Sequence, residues 1–126
     1  MNLQTQLELF DQYTSLLRSL MQSKGSDYAG NSDKLSNFKT AASLTNQTPS
    51  QQCLSMIATK VSRLSTLLAS PGITPNNEPV KDSCLDGALY FVLLAMLEYE
   101  AAQERDNKEA AEEAPTTPKE YIISPW

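Results

Sequence analysis

The stretch that decides the fold is residues 78–97, EPVKDSCLDGALYFVLLAML, which opens acidic and polar and closes as an apolar block. Asn77 fits an N-cap, with Glu78 and Pro79 in the first turn, where proline is preset for the helix and lacks only an N–H that has no partner anyway. Glu78, Asp82 and Asp86 are spaced four apart, so 3.6 residues per turn sets the three carboxylates on one helix face. Residues 88–97 are apolar on every side, which predicts a helix surrounded by packing partners.

Working outward, the string SPGITPNN just before this helix is a connector rich in Pro, Gly and Asn. It is preceded by Thr48, Pro49 and Gln51, an N-cap, first-turn proline and capping-box glutamine. These open a helix running to about residue 69 with Leu54, Ile57, Val61, Leu64, Leu67 and Leu68 turned inward. Near the N-terminus, Leu3, Leu7, Phe10, Tyr13, Leu17, Leu20 and Met21 predict an amphipathic helix over residues 3–23, ended by Gly25. The Gly-, Ser- and Asn-rich stretch that follows reads as a loop holding a short helix after Ser32 or Asp33. The charged sequence after Glu98 continues the decisive helix to about residue 112. Residues 113–126, EAPTTPKEYIISPW, read as an extended tail of a make-up that is usually flexible, the alternative being that its apolar cluster Tyr121, Ile122, Ile123 and Trp126 docks on the domain, on a partner or on a second subunit. The expectation is one all-α domain over residues 1–112, a compact antiparallel bundle of three to four helices with an extended C-terminal tail.

A chain of 126 residues is long enough to close one core without disulfide or metal support. The net charge of −5 and scattered Lys and Arg argue against a nucleic-acid polymer as partner, though not against a free nucleotide. With no histidine in the chain, imidazole zinc sites and histidine-based triads are excluded. Cys53 and Cys84 both fall in apolar helical patterns and read as buried free thiols. The N-terminus lacks the pattern of a signal peptide and the apolar block is too short to span a bilayer, so the expected setting is cytoplasmic, with no membrane partner.

Carboxylates on one helix face suit a hard cation, and Mg²⁺ takes oxygen ligands, keeps several waters and is shared with substrate phosphates. Against this, acidic residues in a first turn also answer the positive end of the helix dipole, which accounts equally for Glu78 and Asp82. Asp86 sits deeper, between Leu85 and the apolar block, where an unpaired carboxylate is costly; it needs either a cation or a basic side chain. Lys60 and Arg63 lie three apart on the preceding helix, placed to be salt-bridge partners or phosphate ligands. Lys24, Asp27 and Tyr28 form a further group, with Tyr28 able to stack a base and Asp27 to reach a metal, and Asp33, Lys34, Asn37 and Lys39 follow in the loop.

The order KGSDY, SNFK, KVSRL and EPVKDSCLDGALY resembles the nucleotide-modification-associated helical domains of phages and bacteria. Their pattern is K, two residues, DY; then K, two residues, RL; then E, three residues, D, three residues, D and an aromatic. The likeness covers residues 16–97. Those domains are in turn similar to the all-α nucleotide pyrophosphohydrolases of the MazG and dimeric dUTPase group. The resemblance implies Mg²⁺ held by Asp82 and Asp86 with Asp27 or Glu78 helping, and nucleotide phosphate met by Lys24, Lys60 and Arg63, with Tyr28 and Asn37 at the substrate. It implies Asp27 and Asp86 as catalytic carboxylates and release of pyrophosphate from a (deoxy)nucleoside triphosphate. The chain departs from the pyrophosphohydrolases in lacking their ExxE pair on the first helix, and in carrying Ser83 three residues before Asp86 where they have glutamate. Three carboxylates remain for one Mg²⁺. The alternative expectation is a non-catalytic protein that sequesters a nucleotide or grips a host protein. A homo-oligomer is expected in either case.

Overall fold

The computed structural model describes residues 1–28, 33–70 and 78–113, with the backbone alone for residues 25–28 and 78. Within them the chain forms four helices: α1 (Leu3–Tyr28), α2 (Ser36–Leu44), α3 (Pro49–Ala69) and α4 (Glu78–Glu112). No strand occurs among the described residues.

Local chemistry sets the boundaries. The Asp33 carboxylate accepts from the Leu35 N–H at 3.0 Å, and the Ser36 N–H donates to the Asp33 carbonyl at 3.2 Å, so a turn feeds the chain into α2. At the other end Asn46 takes φ 54°, a left-handed position that asparagine tolerates, and the Gln47 N–H reaches the Ala42 carbonyl at 2.9 Å. That pairing is the Schellman stop, and it satisfies a carbonyl left open by the helix end. One residue later Thr48 starts α3. Its hydroxyl accepts from the Gln51 N–H at 3.1 Å while the Gln51 side chain accepts from the Thr48 N–H at 2.9 Å, the capping box read in the sequence.

The helices α3 and α4 run antiparallel, as three links fix: Ser50 to Glu98 at 2.5 Å, the Cys53 thiol donating to the Tyr90 carbonyl at 3.3 Å, and Lys60 to Asp86 at 3.3 Å. Cys53, Ile57 and Leu97 form the buried centre, with Leu35, Phe38, Tyr90, Leu93 and Leu94 packed around it. Short α2 lies on α3, and α1 reaches α4 through its C-terminal half.

Four expectations need correction. Gly25 does not end α1, which continues to Tyr28. A helical glycine costs only about 1 kcal/mol, and Lys24 just before it is tethered to α4. On α3, Ile57 is buried and Leu64 and Leu67 are half-buried as expected, but Leu54, Val61 and Leu68 are exposed, and Cys53 and half-buried Lys60 take inward positions in place of Leu54 and Val61. Residues 88–97 are not surrounded on every side among the described residues, since Phe91, Val92 and Met96 are exposed. Cys84 is exposed, and only Cys53 is a buried thiol. The Asn77 cap, the 71–77 connector and the 114–126 tail lie outside the described residues. No described helix is long and apolar enough to cross a membrane.

Ile57, 3% exposed, and Leu54, 53% exposed, provide the check on this inside-outside assignment. Ile57→Ala is expected to cost about 2–5 kcal/mol and Leu54→Ala under about 1 kcal/mol, read by chemical denaturation. The reverse order would refute the assignment.

Candidate functional site

A pocket of about 770 Å³ opens where all four helices meet, within the size range of small-molecule sites. Its walls are mainly apolar: Met21 from α1, Leu35, Phe38 and Ala41 from the α2 region, Met56 from α3, and Leu93 and Met96 from α4. Tyr90 and Phe38 meet edge to face, ring centroids 6.3 Å apart at 90°, so one aromatic corner is preset. The polar groups on the lining are few, and include Lys24, Lys34, Asn37 and Gln52.

Lys24 connects the pocket to a carboxylate outside it. Its ammonium stands 3.4 Å from Asp86 Oδ1 and 5.3 Å from the centre of the Tyr90 ring, where the electron-rich face attracts a cation. The other Asp86 oxygen, Oδ2, receives Lys60 at 3.3 Å. All three side chains are between 24% and 29% exposed, dry enough for the pairing to matter. The partner that the position of Asp86 demanded is thus a pair of lysines. Arg63 is exposed and makes no ion pair among the described residues, and Asp82 is exposed on the same helix as Asp86.

Bringing in the residues named from sequence, Lys24 and Asn37 line the pocket, while Asp86 and Lys60 stand behind Lys24. The side chains of Asp27, Tyr28 and Glu78 lie outside those described. Among the described residues no three acidic or thiol groups converge. A Mg²⁺ ion would take the Asp86 oxygens at about 2.0–2.1 Å, where each oxygen now faces an ammonium. The described groups around Asp86 fit ion pairing; the side chains of Asp27 and Glu78, named with it for Mg²⁺, are not among them.

Residues the sequence reading did not place at a site include Tyr90, Phe38 and the methionines Met21, Met56 and Met96. Tyr90 was visible as the aromatic after the spaced aspartates; nothing in helical periodicity distinguishes a pocket methionine from a core one.

A second ion cluster holds α2. Lys39 pairs with Asp33 at 2.7 Å and with Glu100 of α4. The hydrogen bond from Lys39, and after it the Leu35 N–H, hold the Asp33 carboxyl below its ordinary range, and Asp33 and then Glu100 push Lys39 above its own. A carboxyl lowered in the folded state contributes stability that is present above its unfolded value, about 3.9, and lost as the pH falls through the lower folded value. With the Asp33 side chain 42% exposed, solvent screens much of this. Hydrogen exchange of the α2 amides is expected to stay slow from about pH 5 to 8 and, after correction for intrinsic rates, to speed up below about pH 4. Asp33→Asn is expected to flatten that acid step; a wild-type profile already flat there would show that Asp33 does not anchor α2.

No protein-family model, curated protein or solved structure matches this chain.

Proposed function

We propose that this protein binds a nucleotide in the four-helix pocket, its base against the Phe38–Tyr90 corner and its phosphate at Lys24 and Lys34. The observation that carries this reading is the position of Lys24, on the pocket lining and at the same time 3.4 Å from Asp86. A lysine held between a carboxylate and an aromatic face is aimed, ready to exchange part of its pairing for a phosphate oxygen. The mostly apolar walls suit a flat ring, and Asn37 and Gln52 offer amides that can both donate to and accept from base edges. The resemblance of KGSDY, SNFK, KVSRL and EPVKDSCLDGALY to nucleotide-handling helical domains points the same way.

Binding without metal is the form this reading takes, because Asp86 is paired by Lys24 and Lys60. The second reading is a Mg²⁺-dependent pyrophosphohydrolase with Asp82 and Asp86 as ligands and Asp27 or Glu78 completing the set. What favours it is the four-residue spacing of Asp82 and Asp86 on α4. It requires Lys24 and Lys60 to leave Asp86 as the phosphates arrive.

Calorimetry with nucleoside mono-, di- and triphosphates, in EDTA and in Mg²⁺, separates the two. Metal-independent binding is expected, weakened roughly ten- to a hundredfold by Lys24→Ala, as for a charge-assisted hydrogen bond of about 1.5–3 kcal/mol. Phe38→Ala is expected to lose about two- to tenfold from aromatic contact of about 0.5–1.5 kcal/mol, and Arg63→Ala to change nothing. Pyrophosphate release that needs Mg²⁺ and disappears in Asp86→Asn would move the assignment to the hydrolase. Absence of any nucleotide-dependent rise in melting temperature would sink both, since a ligand bound only by the folded state must raise it.

A further inference from the structure

The charge on the pocket lining and just behind it limits which nucleotides fit. Among the described residues the lining carries two cations, Lys24 and Lys34, and no carboxylate, which suits an anion. Lys24 does not offer the ligand a whole charge, because its ammonium already stands 3.4 Å from Asp86 Oδ1. What restores that charge lies one layer further back. Lys60 is absent from the lining, yet it reaches the other Asp86 oxygen at 3.3 Å. When a ligand draws on Lys24, Asp86 therefore keeps a cation, in a place where a half-buried carboxylate left alone would be costly.

Three ammoniums against one carboxylate amount to two positive charges at most, whatever else Lys34 meets. A phosphate monoester carries about −1.5 to −2 at neutral pH, so the match is to one phosphate group. A phosphodiester, with a single negative charge, leaves part of this positive charge uncompensated beside mainly apolar walls. A triphosphate brings roughly twice the charge of the monoester. Its surplus meets a chain of net charge −5, and the described lining holds no further cation for it.

We propose that the pocket selects a nucleoside monophosphate over the di- and triphosphates, with Lys60 as the positioning residue that frees Lys24 for the phosphate by holding Asp86. This rests on the nucleotide reading and narrows it to one ligand class. The exchange at Lys24 loses little, since its contact with Asp86 at 3.4 Å is longer than the roughly 2.7–2.9 Å of a strong charge-assisted hydrogen bond. The Tyr90 ring, 5.3 Å from the ammonium, keeps Lys24 aimed while its partner changes.

Competition calorimetry of the full chain in EDTA, with one base throughout, tests the ranking. The monophosphate is expected to bind at least about tenfold tighter than the triphosphate, and about tenfold tighter than its own methyl ester, which keeps base and sugar but a single charge. Lys60→Met is expected to weaken the monophosphate about tenfold and to leave the unphosphorylated nucleoside unchanged, with Lys60→Arg restoring the difference; a merely structural role would weaken both ligands alike. Should Lys60→Met fail to fold, the ligand series on the wild-type chain decides by itself. A triphosphate or methyl ester bound as tightly as the monophosphate, or a Lys60→Met loss shared equally by the nucleoside, overturns this inference and leaves the nucleotide reading in place. A monophosphate held no better than inorganic phosphate, or no nucleotide held at all, overturns the nucleotide reading itself.

Discussion

One carboxylate holds three helices together. Asp86 of α4 takes Lys24 of α1 on one oxygen and Lys60 of α3 on the other, so a single side chain fixes the relative positions of the elements around the pocket. The packing alone leaves α1 loosely joined, since the apolar stripe on its first half is uncovered. Removing either lysine leaves Asp86 with a charge half-compensated, and removing Asp86 leaves two ammonium groups facing each other across the same gap, an arrangement costlier than the loss of one surface pair. The pocket inherits its shape from this clasp, because Lys24 and Tyr90 are wall and clasp at once.

The parts legible in the sequence are those where local chemistry dictates the backbone. Thr48, Pro49 and Gln51 specify the start of α3 without help from the rest of the fold, and the structure has that capping box. The all-α class and the end of α3 follow from periodicity alike. What the sequence hides is which side of each helix faces in. On α3 the pattern places Ile57, Leu64 and Leu67 correctly, yet Cys53 and Lys60 take the inward positions expected of Leu54 and Val61, because a small thiol and a lysine stem pack as well as leucine when the lysine head finds Asp86. The length of α1 was hidden for a related reason: Gly25 reads as a stop until a tether at Lys24 offsets its cost.

The candidate site divides similarly. That Asp86 needs a partner was readable from its place beside an apolar block, because desolvation of a carboxylate is a local matter. Which partner it takes is a question of helix register between α3 and α4, information that resides in packing. Lys24 and Asn37 were readable as polar groups in a loop-like stretch; that Phe38 and Tyr90 stand edge to face beside them depends on residues 52 positions apart meeting in space.

The capping box and the Schellman turn also bear on the order in which the chain assembles. Helices α2, α3 and α4 are consecutive and their packing joins neighbours, so the loops to be closed are short and their entropy cost small. The link between Lys24 and Asp86 closes 62 residues, and that between Lys39 and Glu100 closes 61. Chain entropy therefore favours the α3–α4 hairpin as the early event, with α1 recruited last, through a charge pair formed only once the hydrophobic centre around Cys53 and Ile57 has set α4 in place. The pocket, which needs α1 for one wall, is then among the final features of the molecule to form and the first to be lost when it opens.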